Sequence, residues 1–114
     1  MIDTLNINIF DDISSPVAVS TDDGTLIFNK IEKAINNDVS VNLDFKNIDI
    51  LTSAFLNAAI GQLYSKFSGN ELNEKVNVVN ISEEDKSTFI KVVKRAKEYF
   101  INKEKFNSLI DSSL

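Results

Sequence analysis

The side chains with most chemistry to offer here are hydroxyls and carboxylates, because the 114-residue chain contains no histidine and no cysteine. That absence removes the commonest general base, thiol nucleophiles, disulfides and thiolate metal sites, and with them the central parts of most hydrolase and redox mechanisms. The expectation is a protein that is not an enzyme, with no catalytic residues, no metal and no cofactor. Among the hydroxyls, Thr52 and Ser53 stand side by side at the head of an amphipathic segment and compete for its N-cap. A hydroxyl there accepts from the orphan backbone N–H groups of the first turn and contributes about 1 kcal/mol. The same place suits phosphorylation, since a group of roughly −1.5 to −2 charges is welcomed by a helix N-terminus yet changes the local surface drastically. Ser53 is therefore a candidate phosphoacceptor.

The carboxylates are less eloquent. Asp11 with Asp12 and Asp22 with Asp23 are adjacent pairs, and neighbours on a turn seldom converge on one point as a cation or acid-base site requires. Solvated turns are the expected reading. Asp44 and Asp49 bracket the approach to Ser53, and a strand-end pocket among these three is where a small ligand would sit. Only Gly24, Gly61 and Gly69 are available for phosphate loops, and none belongs to a P-loop or dinucleotide fingerprint.

Charge and hydropathy narrow the partners. A net charge of −5 with a single arginine, Arg95, argues against a phosphate-tracking surface and so against nucleic acid. The lysines of KVVKRAKEYFINKEK are interspersed with Glu98 and Glu104, as on an ordinary solvated helix face. No run approaches the roughly 20 apolar residues of a membrane span, and the N-terminus MIDTLNINIF is no basic leader. A cytoplasmic protein with no membrane partner is expected, its oligomeric state left open.

The elements that must position Ser53 follow from periodicity. Residues 5–10 alternate as a half-buried strand, and Val17, Ala18 and Val19 follow turn chemistry at Ser14, Ser15 and Pro16, which predicts a hairpin. The stretch TDDG punctuates the chain. From Thr25, residues Ile27, Ile31, Ala34 and Ile35 fall at helical spacing until Asn36 and Asn37. Residues 39–45 return to period two, with Val39, Val41, Leu43 and Phe45 on one face and a wetter face opposite. After the turn KNIDIL, a helix over 53–67 carries Leu56, Ala59, Ile60, Leu63 and Phe67 on one stripe and stops at Ser68, Gly69 and Asn70. Tyr64, Phe67, Phe89 and Phe100 read as core, whereas Phe55 falls at the stripe's edge beside Ser53. A polar loop ELNEK precedes a strand over 76–81, and Ser82 with Asp85 opens a final helix as a capping box. Phe106, Leu109 and Ile110 leave a tail over 102–114 as either a short docked helix or a frayed end.

The expected fold class is α/β: one domain over 1–101, a mixed sheet of about four strands, at least one parallel crossover, and helices mainly on one face. Within it, VSVNLDFKNIDILTSAFLNAAIGQLY is similar to the core motif of the STAS superfamily, the fold of sulphate-transporter tails and bacterial anti-sigma-factor antagonists. In that superfamily a strand ends in Leu-Asp-apolar, here Leu43, Asp44 and Phe45, and after a turn a serine opens the next helix, here Ser53. A small bacterial group known as STAS-like domains is also similar at TDDGTLIFNKI and at Ser53-Ala54-Phe55, so the resemblance spans roughly 24–81.

The resemblance implies a regulatory protein-interaction module. Its partner would be a serine kinase built on the histidine-kinase ATPase fold or an anti-sigma-like protein, met by Thr52, Ser53, Phe55, Asp44 and Asp49, with phosphate on Ser53 breaking the contact. This chain has Thr52 where antagonists carry an acid, and Ala54 and Phe55 where they carry Ser-Gly. The alternatives are a constitutive assembly subunit in which Ser53 is only a cap, docking through the wetter sheet face or the tail, and a small-ligand-binding domain.

Overall fold

The computed structural model describes the backbone of residues 3–113 and the side chains of residues 3–103. Strand β1 (Thr4–Asn8) ends sooner than its alternation suggests, because the Asn8 side chain accepts from Asp11 N–H and caps a short helix, α1 (Ile9–Ile13). Ser14 closes that helix in the left-handed region, and β2 (Val17–Ala18) follows. Helix α2 (Thr21–Asn36) begins four residues earlier than the hydrophobic spacing indicates: Ser20 accepts from Asp23 N–H, so TDDG forms the first turn instead of a break. Two acids there, Asp22 and Asp23, suit the helix dipole. The far end stops where expected, with Asn37 donating from Nδ2 to Lys33 C=O at 2.7 Å and Asp38 at φ 57°.

Strand β3 (Ser40–Asp44) is followed by a turn with Asn47 at φ 67° and by β4 (Ile50–Leu51). Helix α3 (Ser53–Ala59) gives way at Ile60 to a 3-10 turn over Gly61–Ser65, and a separate helix, α4 (Gly69–Lys75), occupies the place of the polar loop. Ser68 caps α4 by accepting from Glu71 N–H at 3.1 Å, so Ser68-Gly69-Asn70 starts a helix where a stop is expected: the preceding 3-10 turn has already closed at Lys66, and Gly69 takes no left-handed conformation. Strand β5 (Val76–Val79) leads to α5 (Glu83–Ser113), whose Asp85 N–H donates to Ser82 Oγ at 3.1 Å as the capping box requires. The α5 backbone runs on through the tail; how Phe106, Leu109 and Ile110 pack lies outside the described side chains.

The α/β class stands, with every described strand pairing parallel. β1, β3 and β5 form one sheet in that order, while β2 and β4 form a second. The expected hairpin from β1 to β2 is therefore absent: β2 turns away and pairs β4, Val17 opposite Ile50 and Ala18 opposite Leu51. One face of the larger sheet is apolar, and Ile7, Val41 and Leu43 are buried there with Ile27, Ile31, Leu56 and Val92 from the helices. The other face is wet, as the alternation in β3 indicates. Asn6, Asn42 and Asn77 lie in register across it, Asn42 Nδ2 donating to Asn6 Oδ1 at 3.0 Å and Asn77 Nδ2 to Asn42 Oδ1 at 3.3 Å. Parallel sheets are ordinarily covered on both faces, and this amide row satisfies an uncovered one.

Helices α2 and α3 pack more closely than side chains would allow. A Cβ built on Gly24 would lie 2.5 Å from Phe55 C=O and 2.7 Å from Ala58 Cβ. Gly24 is thus inside a helix for proximity and makes no turn. Gly24→Ala is expected to destabilise the domain by about 1–3 kcal/mol through forced separation, despite the roughly 1 kcal/mol Ala gains over Gly inside a helix. An unchanged urea midpoint would show that α2 and α3 part without cost.

Candidate functional site

Two strand-to-helix transitions lie side by side, β2 into α2 and β4 into α3. Asp49 N–H and Ile50 N–H donate to Pro16 C=O at 2.8 and 3.2 Å, and Thr52 N–H donates to Ala18 C=O at 3.1 Å. The Thr52 hydroxyl joins both transitions, accepting from Phe55 N–H at 3.2 Å and donating to Val19 C=O at 3.0 Å. Competition for the N-cap is thus settled for Thr52, since one hydroxyl meets an orphan donor of α3 and the Val19 carbonyl just past β2. Ser53 becomes the first residue of α3, exposed, and makes no side-chain hydrogen bond among the described residues. No acid occupies the first turn of α3, whereas α1, α2, α4 and α5 each carry at least one.

Phe55 requires a correction. It was expected at the surface beside Ser53, but its side chain is 0% exposed and among the largest in the core. It cannot touch a partner; it anchors α3 from below. The reason is that α3 is short and covered on two sides, by α2 at Gly24 and by the sheet and α5, so a stripe drawn for one buried face is too narrow. Apolar surface near Ser53 comes instead from Val19 and Ile50, 37% and 53% exposed, on the side of the β2–β4 pair away from buried Ala18. Two-residue strands show no period that could have singled them out.

Asp44 and Asp49 serve the scaffold differently. Asp44, half-buried at the end of β3, accepts on Oδ1 from Asn80 Nδ2 and Lys46 N–H, both at 2.9 Å. The Asn80 amide, foremost, and the Lys46 N–H hold its carboxyl below the usual carboxylate range, against the opposing effect of partial desolvation. Asn80 stands at φ 57° to make this bond. Asp49 is exposed, and its backbone N–H secures the turn. None of Asp44, Asp49 or Ser53 lines either of the two clefts beside α4 and α5. Among the described residues no group of three His, Cys, Asp or Glu could hold a metal ion, and no helix is long and apolar enough to cross a membrane.

With this geometry in place, comparison with known proteins becomes informative. Residues 23–86, more than half of the chain, match the family described as STAS-like domain of unknown function (DUF4325), and the chain belongs to that family. The match begins in the first turn of α2 and closes in the first turn of α5, enclosing the β4–α3 transition. No curated protein and no solved structure matches.

Two measurements check the site. Thr52→Ala should cost about 1–2 kcal/mol in chemical denaturation, whereas Ser53→Ala should stay within about 0.5 kcal/mol; the reverse order would return the cap to Ser53. A carboxylate whose folded pKa is depressed adds stability above its unfolded pKa and loses it as pH falls through the folded value. Asp44→Asn should therefore weaken the protein at neutral pH and flatten its loss of stability below the ordinary carboxylate range, read from denaturation midpoints between pH 7 and pH 2.

Proposed function

We propose that this STAS-like domain is a regulatory protein-interaction module of the cytoplasm, with no catalytic step of its own, which binds a protein partner through the start of α3. The observation carrying this reading is the division of labour between two adjacent hydroxyls: Thr52 holds the structure and Ser53, exposed, is spared that duty. A serine needed as a cap could be modified only at the expense of its helix. Ser53 can gain a phosphate while α3 stays capped.

The contact consists of the Ser53 hydroxyl with an apolar margin from Val19 and Ile50. Phosphorylation of Ser53 would place a doubly charged, strongly hydrated group against that margin, where binding must strip water away, and would lower affinity. The partner is a serine kinase of the histidine-kinase ATPase fold or an anti-sigma-like protein of that kind, in keeping with the STAS-like family. A constitutive assembly role with Ser53 as cap loses its main support once Thr52 fills that place.

The test uses a purified serine kinase of the histidine-kinase ATPase fold. Ser53→Ala should retain binding and Ile50→Ala weaken it. Ser53→Asp, whose charge suits a helix start and preserves the fold, should weaken binding at least tenfold, about 1.4 kcal/mol. Equal affinity of wild type, Ser53→Asp and Ser53→Ala in calorimetric titration would overturn the switch.

A further inference from the structure

On the side of the molecule formed by α4, β5 and α5 the scaffold leaves a cleft that neither the Ser53 surface nor the family description accounts for. Its volume is about 580 Å³, within the few hundred to 1,000 Å³ typical of small-molecule sites. The floor is core: Ile60, Leu63 and Leu72 are at most 5% exposed. Its walls include the half-buried Phe89 and Val93 of α5. A second cleft of about 530 Å³ shares Tyr64, Gly69, Asn70 and Lys97 with it, so the two adjoin across these residues.

Of the polar side chains lining the larger cleft, Asn77 is engaged with Asn42, and the others have no hydrogen-bond or ion-pair partner among the described residues. Lys97 makes no salt bridge among the described residues, and its ammonium lies 5.9 Å from the centre of the Tyr64 ring. A Cβ on Gly69 would lie 3.5 Å from Lys97 Cε, so the Lys97 stem runs past the start of α4. The Tyr64 hydroxyl and the side chains of Asn70 and Asn73 make no protein hydrogen bonds among the described residues, and the clefts they line mix polar and apolar surface. Burial pushes the Tyr64 phenol up, so it stays a neutral donor. Donors outnumber acceptors here, and one carries full positive charge.

We propose that this cleft binds a small monoanionic amphiphile, an alkyl or aryl carboxylate, with its apolar body over Leu72, Phe89 and Val93 and its carboxylate between Lys97 and Tyr64. A single lysine matches a single negative charge. A dianion such as a phosphate ester would meet the chain's net charge of −5 with Lys97 the one cation lining the larger cleft among the described residues. The site is independent of the Ser53 surface.

The experiment is an NMR titration of the full chain with n-octanoate and, in parallel, n-octanol. Octanoate should saturably shift the amides of residues 69–78 and 89–97 and bind at least tenfold more tightly than octanol. Lys97→Met, which keeps the exposed stem and removes the charge, should abolish that preference, Tyr64→Phe should reduce it, and Ser53→Asp should leave it intact. Equal binding of octanol, an octanoate affinity indifferent to Lys97→Met, or no shifts localised to the cleft would overturn the proposal. So would protein-concentration-dependent shifts of the same amides without ligand, which would assign the cleft to a second copy of the chain.

Discussion

The approach of α2 to α3 at Gly24 is the constraint on which the remainder of this structure depends. With no side chain at that position, the backbone of one helix comes close to the Phe55 carbonyl of the other. Because α2 follows β2 and α3 follows β4, the contact also sets the two short strands beside each other. Thr52 then lies within reach of Val19, and Phe55 is carried into the core beneath. Ser53 faces outward because its neighbours face inward. The surface of this region is thus a by-product of its packing.

One device recurs at the helix starts. Asn8, Ser20, Thr52, Ser68 and Ser82 each accept from the backbone N–H three residues on, and at four of these positions the donor residue is an acid. Phe55 is the exception, exchanging a charge that would favour the helix dipole for burial of an aromatic ring. The transition where the cap is least assisted by charge is the one whose cap residue gains a second bond, to Val19.

Much of this could be read from residues alone. The period-two run in β3, the stripe Ile27, Ile31, Ala34 and Ile35, the capping pair Ser82 and Asp85, and the Leu-Asp-Phe strand end with its following serine all lie where their chemistry says. What could not be read had physical reasons. Strands as short as β2 and β4 carry no period, and their partners are more than thirty residues away. Ser68-Gly69-Asn70 has the residues of a helix stop and, with Glu71, those of a helix start, and only the start operates, because the preceding segment has already ended by Lys66. Phe55 looked peripheral because the α2 contact that covers it passes through a glycine, the residue with no side chain to betray a neighbour.

The topology has a further consequence, concerning how the chain reaches this state. Every strand in the larger sheet pairs with one that lies some 35 residues away, as in the side-chain bonds between positions 6 and 42 and between 42 and 77. No tight turn joins any two of them, so none of this sheet can zip from a local nucleus, and loop closure must be met before pairing returns anything. Helices, capped within their own first turns, form on shorter timescales. During synthesis β1 therefore waits with Ile7 and Ile9 uncovered until α2 has formed and β3 has emerged. The amide row then acts as a late inspection of register: a slip by one residue would turn its asparagines into the core and the apolar face toward water.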